Sequence, residues 1–173
     1  RTGDLRSHRA DEYMTKLVRA PYDPASPCPR WTSFLERVLP SPDARTFLQR
    51  AAGYSLTGKT GEQVLFMLSG TGANGKSTFL KTLGDLLADY ALATPADTFM
   101  VKRDGAIPND VARLRGARFV VAVETYEGRR LDEALVKQMT GGDQLTARFL
   151  HQEFFDFTPA FKIFLGVNYR PRI

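Results

Sequence analysis

Gly70-Thr71-Gly72-Ala73-Asn74-Gly75-Lys76-Ser77 fits the phosphate-binding pattern G-x-x-x-x-G-K-[ST] at every position, and this octet constrains the fold more than any other stretch. The run Val64-Leu65-Phe66-Met67-Leu68 precedes it as a buried parallel strand would. Phe79, Leu80, Leu83, Leu86, Leu87 and Tyr90 follow at helical spacing. Strand, loop and helix in that order make a nucleotide site. The glycines let loop amides wrap phosphates, and the helix N-terminus adds a favourable dipole. Lys76 reaches the outer phosphates, Ser77 offers a hydroxyl to magnesium, and Thr78 continues the first turn. Taken without its flanks, the octet would be only a Gly-rich turn with a solvated lysine.

With 173 residues and 43% hydrophobic content, the chain is long enough for one domain with a real core and a small appendage. No apolar run approaches the ~20 residues of a membrane span, and no secretion signal is visible, so a cytoplasmic location is expected. Cys28 is the single cysteine, which excludes an internal disulfide and a cysteine zinc cluster. A net charge of +5 permits a polyanionic partner, and the placement of the charges decides whether one is used.

Residues 1–30 show scattered charge, four prolines and no period, so an extended lead-in is expected; starting at Arg1 without methionine, it reads as the broken end of a larger protein. Trp31, Phe34, Leu35 and Val38 then mark a short amphipathic helix. Ser41-Pro42 caps a second, whose stripe Ala44, Phe47, Leu48, Ala51 is expected to end at Gly53. The division is thus an N-terminal helical part, 1–58, and a core, 59–173. After the loop helix come a short strand and a long loop, a basic turn holding Arg113 and Arg115, and the strand Phe119-Val120-Val121-Ala122-Val123, which ends at Glu124. An acid at the end of a core strand beside a phosphate loop is where magnesium and attacking water are handled, so Glu124 is the candidate; a surface glutamate capping the strand is the plainer reading. Val123 stands where aspartate is commonest, which shifts magnesium onto Ser77, phosphate and water, with Glu127 as a weaker second acid.

Leu131, Ala134, Leu135 and Gln138 describe a helix stopped by Gly141-Gly142. Alternation through Leu145, Ala147 and Phe149, then Phe154-Phe155-Asp156-Phe157, predicts a β-hairpin with its tip near His151. Arg148, His151 and Lys137 could meet a nucleic-acid backbone while Phe149 or Leu150 presses on sugar or base; read alone, the pattern favours an edge hairpin with wet basic residues. Phe161 to Val167 is a further strand, closed by Asn168, which could sense a terminal phosphate or serve simply as a turn residue.

In order and spacing four stretches resemble the ATPase domain of superfamily 3 helicases, in the branch of phage and plasmid primase-helicases related to those of poxviruses. They are Gly70 to Thr78, Phe119 to Glu124, Lys137-Gln138-Met139-Thr140-Gly141-Gly142-Asp143 leading to Ala147-Arg148, and Phe164 to Asn168 followed by Pro171-Arg172-Ile173. The resemblance implies an α/β P-loop fold of AAA+-like type, a parallel central sheet flanked by helices with a projecting hairpin. It implies a ring, usually hexameric, that binds Mg-ATP between subunits and moves single-stranded DNA among other replication proteins in a bacterial host cell. Lys76 and Ser77 would hold Mg-ATP, Glu124 would polarise water, Asn168 would be the polar sensor, and Arg148, His151 and Lys137 would meet DNA. The family's arginine finger would follow Ile173, not coincide with Arg170 or Arg172, so this chain is expected to bind ATP better than it turns it over. A small-molecule kinase and a nucleotide-gated DNA-binding module without turnover stay open as other uses of the same loop.

Overall fold

A computed structural model describes residues 5–102, 109–124 and 128–172, with only the backbone of Glu124 described. Two helices come first. In α1, Pro29–Val38, proline opens the helix and Trp31, Phe34, Leu35 and Val38 fall on one stripe. In α2, Pro42–Ser55, the Ser41 hydroxyl accepts from the Ala44 amide at 3.3 Å. The helix does not end at Gly53. It runs two residues further, because Ala51 and Ser55 are buried while nothing lies within 4 Å of a side chain built at Gly53.

Four parallel strands form the sheet in the order β1-β6-β3-β2: β1 Leu65–Ser69, β2 Ala91–Ala93, β3 Phe119–Glu124 and β6 Lys162–Val167. All six residues of β6 are buried, as befits a central strand covered on both faces. Phe164 stacks on Phe66 at 4.7 Å and lies tilted against Phe119 at 4.8 Å beneath α3, Lys76–Leu87. Ile163, Leu165 and Val167 face the larger cluster with Phe99, Met100, Val120, Leu131 and Met139. Gly166 lets α3 seat closely, since a Cβ there would lie 3.2 Å from Leu80.

Along α3, Phe79, Leu80, Leu83 and Leu87 are buried, whereas Leu86 is 43% exposed despite its place in the periodic pattern. Phe79 gains its cover from Trp31 of α1, whose ring stacks on it at 5.7 Å. A helix seven residues further on has left that neighbour behind.

The remaining elements surround the larger core. A short helix α4, Asn109–Ala112, leads to β3; α5 spans Glu133–Gly141. Leu131, expected to open α5, instead pairs with Met100. Asp132 caps the helix by accepting from the Leu135 amide at 3.0 Å, and Gly142, at φ 82°, closes it. The strands β4, Leu145–Ala147, and β5, Phe155–Phe157, pair antiparallel as a separate hairpin. Its Leu145, Ala147 and Phe157 are buried in the core, so it projects only through its tip.

The lead-in is anchored as well as extended. Lys16 donates to the Gly116 carbonyl at 2.7 Å, and the Leu17 amide donates to Asp89 at 3.0 Å.

Lys162 lies within the apolar run Phe161 to Val167 and is only 2% exposed. Its ammonium donates to the Thr57 carbonyl and, at 2.9 Å, to that of Lys59, and it lies 4.4 Å over the Tyr54 ring. Burial, with the nearby Arg118 charge, lowers its pKa from 10.5 to about 8. Between those values the unfolded chain binds more protons, so stability rises with pH across that window. Urea unfolding of wild type against Lys162→Met should show the wild-type midpoint climbing relative to the variant from pH 8 to pH 10.5. A difference independent of pH would show that Lys162 does not titrate in this way.

Candidate nucleotide site

The loop after β1 is shaped by two glycines. A Cβ at Gly70 would lie 2.2 Å from the Asn74 amide nitrogen, so only glycine lets Asn74 fold back over the start of the loop. Gly75, at φ 84°, is the N-cap of α3, and a Cβ there would meet Val38 at 2.8 Å and Phe34 at 3.1 Å. Helix α1 therefore presses directly on the loop, a contact that no local pattern announces. Between the glycines Ala73 sits at φ 59°, a strained conformation for a residue with a side chain.

Lys76 begins α3 and is half-buried. Its ammonium donates to the Gly70 carbonyl at 2.6 Å, to Asn74 Oδ1 at 2.9 Å and, more weakly, to the Thr71 carbonyl at 3.4 Å. These acceptors hold the cation above the loop. Thr71, Gly72, Ala73, Ser77 and Thr78 are exposed. The first amides of a 12-residue helix thus lie beside the ammonium, with Ser77 and Thr78 exposed in the same first turn, which suits an anion with several oxygens. A cleft of about 300 Å³ opens beside it, walled by Leu35, Val38, Phe47, Met67 and Gly75 among others.

Because β1, β6 and β3 are parallel neighbours, their C-terminal ends lie side by side. Ser69 pairs with Val167 and Val167 with Glu124, and the Gly70 amide donates to the Val167 carbonyl at 3.3 Å. Asn168 follows at once and is exposed. At strand spacings of about 4.8 Å, the backbone of Glu124 stands about 10 Å from the end of β1. The loop, Glu124 and Asn168 therefore share one edge of the sheet. The Glu124 side chain and all of Glu127 lie outside the described residues.

The nucleic-acid candidates sit elsewhere. The hairpin base, where Leu145 pairs with Phe157, joins the N-terminal end of β6, opposite the loop. Arg148 is half-buried with its guanidinium 4.7 Å over the Phe154 ring, and His151 is exposed at the tip with φ 61°. Lys137 is exposed on α5 and 3.7 Å from Glu133 one turn earlier. Of the two residues expected to press on a partner, Phe149 is partly buried and lies 5.6 Å from Phe155, whereas Leu150 is exposed.

Among the described residues no cluster of three His, Cys, Asp or Glu could hold a metal, and no helix is long and apolar enough to cross a membrane.

Residues 1–40 match the family described as D5 N terminal like. The chain is 33% identical over 146 residues to "Putative helicase L207/L206" of Acanthamoeba polyphaga mimivirus, with 81% of this chain and 15% of that protein covered. It is 28% identical over 159 residues to "Putative helicase 022R" of Frog virus 3, covering 88% and 16%. Against "Putative primase C962R" of African swine fever virus (isolate Warthog/Namibia/Wart80/1980), the identity is 25% over 169 residues, covering 94% and 17%. The chain therefore spans 15 to 17% of the length of these curated relatives. Its fold is similar to the apo A form of the NrS-1 C-terminal region, with a TM-score of 0.60 at 12% identity over 78% of this chain and 31% of that one. These relatives come from viruses whose names give no support to the expected phage, plasmid or bacterial setting. The chain thus carries a D5 N terminal like match at residues 1–40 and is similar to segments of viral proteins named as putative helicases and primases.

Proposed function

We propose that this chain is the ATP-hydrolysing motor segment of a viral replication primase-helicase, of superfamily 3 and AAA+-like type, acting on single-stranded DNA. The observation that carries the reading is the shared sheet edge where the Lys76 loop, Glu124 and Asn168 meet. A triphosphate over the loop would take amides from Gly72 to Thr78 and the Lys76 ammonium, and the apolar cleft beside Gly75 would receive the nucleoside. Ser77, exposed in the first turn, fits a magnesium ion that phosphate and water would also hold, with Glu124 near; the ion would neutralise charge developing on the phosphates. Glu124 would take the proton of an attacking water, and Asn168 would orient that water or sense the terminal phosphate.

The topology also supports coupling. Strand β6 follows the hairpin base after four intervening residues and ends just before Asn168, so one buried segment of six residues, about 20 Å long, would link the DNA-binding hairpin to the phosphate sensor. A ring of such chains, usually hexameric, rests on the family resemblance.

ATP hydrolysis should rise when single-stranded DNA is added, and Arg148→Ala should remove most of that rise while leaving the DNA-free rate within about twofold. A DNA-independent rate in wild type, or phosphoryl transfer to a nucleoside or sugar, would contradict the motor reading.

A further inference from the structure

The hairpin holds four phenylalanines with different fates. Phe149, Phe155 and Phe157 form a ladder, with ring centres 5.6 Å and 6.0 Å apart, that runs toward the core, and Arg115 lies 5.2 Å over Phe155. Phe154 precedes this ladder and is 59% exposed. It is nevertheless held in place, because the Arg148 guanidinium sits 4.7 Å over its ring. Leu150, 55% exposed, and His151 share the same tip. A single exposed aromatic is ordinary on a protein surface. One with a guanidinium over its ring, beside His151 at a loop tip in a chain of net charge +5, is a different object.

We infer that Phe154 is a base-stacking platform for single-stranded nucleic acid, with Arg148 covering one ring face and a base the other. This rests on the DNA-binding reading above and adds a contact with the base to contacts with the phosphates. Every base offers a π-face, so the contact tolerates any sequence, and Arg148 adds its charge to the nearby backbone. The partner is thus a flexible polyanion with splayed aromatic groups; a duplex, whose bases are stacked internally, would not use the platform.

The experiment compares binding of a dT 15-mer and an abasic 15-mer of equal charge to wild type, Phe154→Ala and Phe154→Trp, with circular dichroism confirming that each variant is folded. Wild type should prefer the dT strand by about tenfold, Phe154→Ala should lose that preference while keeping the salt dependence, and Phe154→Trp should retain it. Arg148→Ala should lower the slope of log affinity against log salt by about one and also weaken the dT preference, since the ring loses the cation over it. Equal affinity of folded wild type for both strands, or an unchanged preference in Phe154→Ala, would overturn the platform and leave DNA binding intact. If Phe154→Ala alters only self-association, the tip meets another copy of the chain and the inference is wrong. Absence of binding to either strand by folded wild type would overturn the DNA reading itself.

Discussion

Lys76→Ala should weaken Mg-ATP binding about 100-fold, the loss expected for a charge-assisted contact made in a partly desolvated loop. The ammonium is hydrogen-bonded by the loop itself, through the Gly70 carbonyl and Asn74. A nucleotide must draw it away from those acceptors, and the phosphate oxygens then replace them at higher charge. Lys76→Arg separates charge from shape. It keeps a cation, but a planar fork cannot reproduce a point charge seated over Gly70, so most of the loss should persist. Titration with a fluorescent ATP analogue would measure both variants. Binding within threefold of wild type in folded Lys76→Ala would remove the loop from the site.

Glu124→Gln should leave nucleotide affinity nearly unchanged and lower turnover about 10³-fold, within the range for loss of a positioned general base. Glutamine keeps the size of the side chain but cannot accept the water's proton. The prediction rests on the last position of β3, which pairs with Val167 immediately before Asn168. Single-turnover hydrolysis of bound ATP separates this step from product release. A rate within tenfold of wild type would pass the role to another group.

Much of this arrangement was legible in the chain. The loop motif, its strand and helix, the two further core strands and the hairpin all follow from period and turn chemistry, because each is encoded within ten or so neighbouring residues. Contacts between distant segments were not. Nothing near Gly75 announces Val38 and Phe34 against it, and nothing near Leu86 says that Trp31 covers Phe79 but not its own position. Lys162 was hidden in the same way, since its acceptors at Thr57 and Lys59 lie about a hundred positions earlier. At the hairpin, alternation placed the strands and a tip near His151, but not which aromatic faces solvent there, Phe154 rather than Phe149.

The first forty residues teach a different lesson. Ahead of α1 the described residues carry little period and one 3-10 turn, Ala10–Glu12, yet they belong to the stretch that matches the D5 N terminal like family. Their order comes from contacts such as Lys16 on Gly116 and Tyr90 on the Lys16 carbonyl, at 3.2 Å, and a periodic pattern cannot report these.

The most direct test is a crystal structure with magnesium and a non-hydrolysable ATP analogue. The β- and γ-phosphates should lie over the amides of Gly72 to Thr78, with Lys76 moved from the Gly70 carbonyl onto phosphate and Ser77 at the metal. A nucleotide bound away from this loop, or Lys76 still seated on Gly70 beside an ordered triphosphate, would contradict the account.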